Sequence, residues 1–439
     1  MPLGDRIIKF IYDHFILIVI LLVGLAVWST IFNLALIDYM DTSFWRGRGV
    51  WLGNGDFDLF GYTLTCQFEG YTDYSFYYVH WGTNTLRGVI PYSSDFGYIV
   101  LDGFTNENGA YMFPPFSAYL YAAGIMIPVD TWGIGLIITV FGYLTALPVY
   151  GLGKALTKNQ HIGEAAALTY LLNPNVLYHT VYAWLNPAPF IFFFFLGFYM
   201  LVRGKKHTGT ILIVCAALFK QTAWFLGIPL VVYLLIRPTS KEEPKKANIS
   251  DQETSGNTDG TDETEYIIPE SKQGFSGLIA SITNFVDLKG FLVSTVLVLC
   301  FVLAIMFPFI VMTPHVVNNL LLAAGGFPLE SFTEIPGYGS PMRLQVLPVA
   351  AGLPEVAQIL DFIVYYGFLL SFSAILFMGI MLIERRNVDR PLYYMRRLLF
   401  LTMLMMLCVH ILGPRGVYKY YFTLFAPFFS IFASNKMVT

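Results

Sequence analysis

Charged residues are scarce in this sequence, and their scarcity excludes an ordinary soluble protein. Only 13% of the 439 residues are charged and 56% are hydrophobic. Soluble domains contain about 25% charged residues. The formal net charge of -3 gives no reason to expect a nucleic-acid partner. The composition is typical of a polytopic membrane protein.

Cysteine is also rare, and its placement excludes two common kinds of site. The chain has four cysteines, and Cys66 alone lies in a polar loop. They show neither a disulfide framework nor the close spacing of zinc ligands. We also find no internal repeat. Many secondary transporters are built from repeats, so this absence weighs against a transporter.

Long apolar runs are present instead, and many can cross a bilayer, which takes about 20 residues. The run 208–236 is too long for one span and has Lys220 and Gln221 at its middle, so we expect two short helices meeting at the outer face. The sequence predicts an all-α polytopic protein of about ten transmembrane helices, with residues 1–439 forming one domain. The runs are 15–37, 131–153, 162–181, 187–203, 208–236, 289–312, 358–383, 392–413 and 417–435.

The basic residues predict the orientation of these spans. Arg and Lys gather on one side, from Arg6 and Lys9 to the stretch Arg385–Arg397. By the positive-inside rule that side is cytoplasmic, so we expect both termini in the cytoplasm and an uncleaved first span. The outer side then contains residues 38–115, 182–186, 313–357 and 414–416.

Three long loops differ in character. The first outer loop, 38–115, is dense in Trp, Tyr and Phe, which suits a folded layer with juxtamembrane helices at the membrane interface. Residues 237–288 are polar and poor in aromatics, which predicts a disordered cytoplasmic linker. The second outer loop, 313–357, is punctuated by Gly and Pro and should be irregular but ordered.

Asp73 is the acid of the first outer loop with the most informative surroundings. It precedes a segment that we expect to be helical as far as Gly88, and His80 could share its face. Asp is a favoured N-cap because its carboxylate accepts hydrogen bonds from the first helical turn. Asp73 is therefore either a helix cap or a functional acid, and the residues alone leave both readings open.

Other acids of the same loop compete with Asp73 for a functional role. Asp56 and Asp58 have the spacing of a metal-binding pair, but the preceding Gly53-Asn54-Gly55 favours a turn. Asp95, near Tyr92, could help to position a sugar. The remaining acids are Asp38, Asp41 and Asp102.

Polar side chains at membrane depth gather on the predicted outer side. Ionisable residues within spans are costly and usually functional. Lys220 interrupts an otherwise apolar run, whereas Arg415 and Lys419 could also be explained by snorkelling to head groups. Basic groups facing an acidic loop suit an anionic lipid head group. The set is His179, Lys220, Gln221, Arg343, His410, Arg415 and Lys419.

Short motifs recur in a recognisable order. They are Tyr-Thr-Asp at 71–73, Gly-x-x-Pro-Tyr at 88–92, Tyr-x-x-Pro-Pro at 111–115, Asn173-Pro174, Ala-Leu-Phe-Lys-Gln at 217–221, and the run from Arg415 to Pro427. This order resembles the GT-C superfamily of integral membrane glycosyltransferases, which use polyprenyl-phosphate-linked sugars. It is similar to the first GPI mannosyltransferase and to prokaryotic polyprenyl-phosphate mannosyltransferases. The GPI enzyme has Asp-x-Asp at the first motif, where this chain has Ser75.

The resemblance implies a GT-C-like fold and an inverting transfer of a sugar, with mannose favoured, from a dolichyl- or undecaprenyl-phosphate donor. The acceptor would be a lipid, a glycan or a protein. No metal or other cofactor would be required, because the leaving group is already a phosphate. Asp73 would be the catalytic base. The donor phosphate would contact Lys220, Arg415, Lys419, Arg343 and His410, and the substrates would contact His80, Tyr92, Asp95, His179 and Gln221.

The same resemblance places the protein in the plasma membrane of a prokaryote or in the endoplasmic reticulum membrane of a eukaryote. One alternative is a transporter or flippase for a lipid-linked or charged solute, which should have ionisable groups near the midplane. Another is a noncatalytic membrane scaffold, which would not need Asp73 and Lys220 on the same side.

Overall fold

The computed structural model describes most of the chain. The described residues are 3–40, 51–59, 62–69, 73–93, 96, 99–101, 104–106, 111–236, 286–313, 316–317, 319–320, 329, 331–332, 342–387 and 391–437. Tyr71, Thr72, Asp95 and most of the predicted linker 237–288 therefore lie outside the described residues.

Helices form nearly all of the described structure. They are α1 (Leu3–Asp13), α2 (Phe15–Met40), α3 (Val79–Leu86), α4 (Pro115–Met126), α5 (Gly133–Leu144), α6 (Ala146–Thr157), α7 (Gln160–Leu171), α8 (Pro174–Val176), α9 (Pro187–Val202), α10 (Lys206–Phe219), α11 (Gly227–Leu235), α12 (Leu288–Met312), α13 (Val346–Ala350), α14 (Pro354–Tyr365), α15 (Phe368–Asn387), α16 (Pro391–Leu412) and α17 (Phe425–Met437). Single turns of π-helix (Tyr74–Tyr78, Leu177–Tyr182) and 3-10 helix (Gln221–Leu226, Lys419–Leu424) join some of them.

The predicted class, an all-α polytopic membrane protein, is confirmed. Among the described residues, five helical stretches are long and apolar enough to cross a membrane. They are Phe15–Met40, Gly133–Thr157, Leu288–Met312, Phe368–Arg385 and Pro391–Leu412. Pro187–Val202, Lys206–Phe219 and Gln221–Leu235 are shorter apolar helices. The expected total of about ten spans stays a prediction, because several of those spans are short helices that need partners to cross.

Two small hairpins interrupt the helices within the first outer loop. Strand β1 (Trp51–Leu59) pairs antiparallel with β2 (Tyr62–Glu69), and β3 (Ile99–Leu101) pairs with β4 (Phe104–Asn106). The predicted turn at Asp56 and Asp58 is wrong, because both residues lie in β1. Gly53 and Asn54 lie instead at a shift in the register of β1 between Trp51 and Asn54, and an irregular strand tolerates such residues.

The chain breaks at Lys220, as the length of the 208–236 run predicts. Helix α10 ends at Phe219, and Lys220 is extended, with φ -149° and ψ 135°. A helix end leaves backbone carbonyls without helical partners. The hydroxyl of Ser117 donates to the Phe219 carbonyl at 2.8 Å, so α4 supports the break.

A cluster of buried aromatic residues, here called the Trp184 core, fixes the start of the segment that contains Asp73. The rings of Tyr39 and Tyr74 lie 5.1 and 5.0 Å from the ring of Trp184. The Tyr74 hydroxyl donates to the Thr131 carbonyl at 2.7 Å and accepts from the Gly135 N–H at 2.9 Å. Each aromatic pair contributes about 0.5–1.5 kcal/mol beyond its burial. The residue after Asp73 is thus anchored to α5.

Trp184 itself has an unusual backbone, with φ 51°. Left-handed backbone is costly for a bulky residue, by about 1–3 kcal/mol, and persists only where the surroundings impose it. Its side chain is fully buried and packs on α5 at Gly135, where a Cβ would lie 2.7 Å from Trp184 Cγ. Gly135 therefore leaves the space that Trp184 fills.

Replacing Gly135 by Ala should destabilise the protein. The added methyl group overlaps the Trp184 ring, and overpacking of this kind costs about 1–3 kcal/mol. Gly379→Ala is the matched control, because Gly379 also lies within a helix and a Cβ there meets nothing within 4 Å. Thermal unfolding of the two detergent-solubilised variants checks this. A Gly135→Ala protein as stable as Gly379→Ala would contradict the packing described.

Candidate functional site

Asp73 does not act as the cap of the helix that it begins. The π-helical turn Tyr74–Tyr78 starts directly after it, and α3 continues from Val79. Asp73 has helical backbone angles and makes no side-chain capping hydrogen bond to this turn. The reading of Asp73 as a helix cap is therefore wrong. Single π-helical turns are frequent at functional sites.

Two stacked tyrosines lie within electrostatic reach of the Asp73 carboxylate. The rings of Tyr78 and Tyr121 are 4.7 Å apart and nearly parallel, at 7°. Burial raises the pKa of Tyr78, and the nearby Tyr121 and Asp73 raise it further. Tyr78 therefore stays protonated. Asn186 donates to the Tyr121 hydroxyl at 3.3 Å, so the loop before α9 joins the same cluster.

Lys220 is the buried cation of this cluster. Its side chain is only 5% exposed, and its ammonium lies 4.4 Å from the centre of the Tyr421 ring and 4.9 Å from that of Tyr420. The charges of Asp73 and Arg415 both act on it, the first attracting it and the second repelling it. The negative charge of Asp73 also acts on the hydroxyls of Tyr420 and Tyr421. The helix break thus places Lys220 between the acid of the first outer loop and the C-terminal run.

Met112 connects the three segments that carry the motifs. Its carbonyl accepts a hydrogen bond from the Gln221 side chain, and its sulfur accepts one from Arg415 Nη2 at 3.2 Å. The middle of the Tyr-x-x-Pro-Pro motif therefore touches both the Lys-Gln motif and the start of the C-terminal run. Gln221 contacts protein backbone here, so its predicted contact with substrate stays a prediction.

A backbone pairing holds the segment that contains Arg343 beside the segment that contains Arg415. Met342 and Val417 exchange both of their hydrogen bonds, at 2.9 and 2.7 Å. A Cβ at Gly416 would lie 2.7 Å from Arg343 Cγ. The second outer loop is thus tied beside Arg415, which brings a further cation close to the cluster.

His410 and His179 occupy different positions. The His410 ring packs edge-on against Tyr421 at 4.9 Å, and its Nδ1 lies 2.6 Å from the Met406 carbonyl. It supports the Tyr421 ring behind Lys220. His179 lies in the second π-helical turn, near the charge of the exposed Lys419.

Tyr92 and His80 have surroundings of their own within the first outer loop. The Tyr92 hydroxyl donates to the Phe113 carbonyl at 2.8 Å, and its own carbonyl accepts from Asn319 at 3.3 Å. Tyr92 thus ties the first outer loop to the Tyr-x-x-Pro-Pro segment, at a strained φ of 75°. Burial and the nearby Arg87 lower the pKa of His80. Asp95 lies outside the described residues.

Several contributors to this cluster could not be identified from the sequence. Tyr78, Tyr121 and Met112 lie in segments that read as ordinary interfacial or apolar sequence. Tyr420 and Tyr421 lie within the C-terminal motif, and their doubling is the one visible signal. Among the described residues, no group of at least three His, Cys, Asp or Glu side chains could hold a metal ion. The expectation that no metal is required stays a prediction.

Comparison with known proteins adds one independent finding. A family model described as dolichyl-phosphate-mannose-protein mannosyltransferase matches residues 113–248. No curated protein matches the chain. The matched stretch contains α4 through α11 and includes Lys220, Gln221, Tyr121 and Asn186.

The match favours one of the classes of function that the sequence leaves open. It supports a glycosyltransferase that uses a dolichyl-phosphate-linked sugar, in place of a transporter, a flippase or a scaffold. Together with the long apolar helices it supports an integral membrane protein. The resemblance to the GT-C superfamily, read from the order of the motifs, is confirmed by this match to the dolichyl-phosphate-mannose-protein mannosyltransferase family over residues 113–248.

Proposed function

We propose that this protein is an inverting glycosyltransferase that moves mannose from a polyprenyl- or dolichyl-phosphate donor to an acceptor hydroxyl. The reaction takes place at the outer or lumenal face of the membrane, with both termini in the cytoplasm. The acceptor is a lipid, a glycan or a protein that presents a free hydroxyl at that face.

The observation that carries this proposal is the juxtaposition of Asp73 with Lys220 and Arg415. These residues are far apart in sequence, yet the charges of Asp73 and Arg415 both act on the buried Lys220, which lies among aromatic rings. A carboxylate beside two cations suits a reaction in which a proton leaves the nucleophile while negative charge develops on the leaving group.

The chemistry divides between these groups. The Asp73 carboxylate takes the proton of the acceptor hydroxyl as the hydroxyl oxygen bonds to the anomeric carbon. The bond between that carbon and the phosphate oxygen breaks with inversion, and the polyprenyl phosphate leaves with the bonding electron pair. Lys220 and Arg415 donate hydrogen bonds to the phosphate oxygens. No metal is needed, because these cations already stabilise a leaving group that is itself a phosphate.

Other residues position these groups. Tyr78 and Tyr121 place neutral hydroxyls within electrostatic reach of the carboxylate. Met112 orients Arg415 and Gln221, and Arg343 adds positive charge beside Arg415. These contacts support a site that assembles from four separate parts of the chain.

Asp73→Asn should lower the rate of sugar transfer by about 100-fold or more, because an amide cannot take the acceptor proton. Labelled transfer from dolichyl-phosphate mannose to a panel of acceptors checks this. Asp38→Asn is the matched control, because Asp38 accepts a hydrogen bond from Tyr182 that an amide oxygen can also accept. Undiminished transfer by Asp73→Asn would exclude the assigned role.

Lys220→Met should reduce kcat/KM for the donor by about 100-fold, as expected when one donor to a developing anion is lost. Met has a similar length and suits a buried site, so folding should survive. Lys205→Met is the matched control, since Lys205 is exposed at the other end of the same helix. Equal kcat/KM for the two variants would show that Lys220 does not meet the leaving group.

A further inference from the structure

Both cations of the site are held by side chains that accept hydrogen bonds poorly. The Lys220 ammonium faces the rings of Tyr421, Tyr420 and Phe190, whose centres are 4.4, 4.9 and 5.8 Å away. The Arg415 guanidinium donates to a thioether, the sulfur of Met112, at 3.2 Å. Sulfur is a weak acceptor.

An aromatic cage has a specific consequence for a buried ammonium. Ring faces stabilise the positive charge by electrostatic attraction but accept none of its hydrogen bonds strongly. The contacts that the structure shows for Lys220 Nζ are with three ring faces. A buried charge without hydrogen bonds is normally unfavourable. The arrangement is explained if an oxygen-rich ligand completes it.

The two tyrosines are themselves fixed in place. Their rings meet edge to face at 4.7 Å and 85°. The Tyr421 ring also packs against His410 at 4.9 Å, while Tyr420 stacks on Tyr418 at 5.7 Å. The 3-10 turn Lys419–Leu424 presents both rings to Lys220 and leads directly into α17. The cage is therefore held by contacts within the protein itself.

We propose that Tyr420 and Tyr421 are positioning residues that hold Lys220 as an unshared hydrogen-bond donor for the phosphate of a polyprenyl-phosphate ligand. This inference deepens the proposed function and rests on it. The ring faces stabilise the ammonium in addition to the attraction of the Asp73 carboxylate. A carboxylate in direct contact would neutralise the cation and occupy its N–H groups.

The test measures binding of dolichyl phosphate to the full-length detergent-solubilised protein, with neutral dolichol as the reference ligand. Four proteins are compared: the wild type, Tyr421→Phe, Tyr421→Leu and Phe428→Leu. Tyr421→Phe keeps the ring and loses only the hydroxyl. Phe428→Leu removes a fully buried ring of α17 that packs on Phe195 and is not one of the three rings that face Lys220. Thermal unfolding of each variant is measured alongside.

The cage predicts that Tyr421→Phe binds dolichyl phosphate within about twofold of the wild type, because the ring face carries the cation–π interaction. Tyr421→Leu should bind about 5- to 30-fold more weakly, with unchanged affinity for dolichol. Phe428→Leu should lose thermal stability without losing phosphate affinity. This pattern distinguishes a ring that positions the Lys220 ammonium from a ring that only packs in the protein core.

Three results would overturn the inference: wild-type affinity in Tyr421→Leu, equal weakening in Tyr421→Phe and Tyr421→Leu, or equal weakening in Phe428→Leu. A wild-type protein that binds dolichyl phosphate no better than dolichol would overturn it as well. Sugar transfer by the wild type is measured in parallel. The predicted binding pattern without any transfer would contradict the proposed function alone, and transfer without that pattern would contradict the inference alone.

Discussion

The attraction between Asp73 and Lys220 is the interaction on which the rest of the site depends. Lys220 is almost completely buried, and a buried ammonium needs compensation for the water that it has lost. The Asp73 carboxylate supplies part of it and the tyrosine rings supply the remainder. Since ring faces accept hydrogen bonds poorly, the ammonium keeps its capacity to donate hydrogen bonds to an anion.

This interaction requires segments that are distant in sequence to meet. The Trp184 core and the hydrogen bonds of Tyr74 to α5 fix the position from which Asp73 starts. The break after Phe219, supported by Ser117, fixes Lys220. Met112 and the pairing of Met342 with Val417 fix the C-terminal run beside both. The ties at Tyr74, Ser117 and Met342 are made by uncharged groups, whereas the tie at Met112 involves Arg415 itself.

The sequence predicts the membrane class and the break at Lys220, because these follow from the lengths of the apolar runs and the cost of burying charge. The sequence alone does not show whether Asp73 caps a helix, because aspartate serves both as a cap and as a functional acid. The backbone angles of Asp73 and its missing capping hydrogen bond decide this question. The sequence predicts a turn where β1 lies, because Gly and Asn favour turns yet also occupy irregular strands. Met112 and Tyr121 could not be found, because their importance comes from long-range contacts that no local pattern encodes.

The central claim is that a donor phosphate binds between Lys220 and Arg415 with its sugar facing Asp73. An experimental structure of the protein with a bound polyprenyl-phosphate mannose tests it most directly. We predict that phosphate oxygens lie about 2.7–3.2 Å from Lys220 Nζ and from an Arg415 guanidinium nitrogen, as for ordinary hydrogen bonds. The anomeric carbon should face the Asp73 carboxylate, with space between them for an acceptor hydroxyl. A phosphate bound elsewhere, or a sugar directed away from Asp73, would contradict the account.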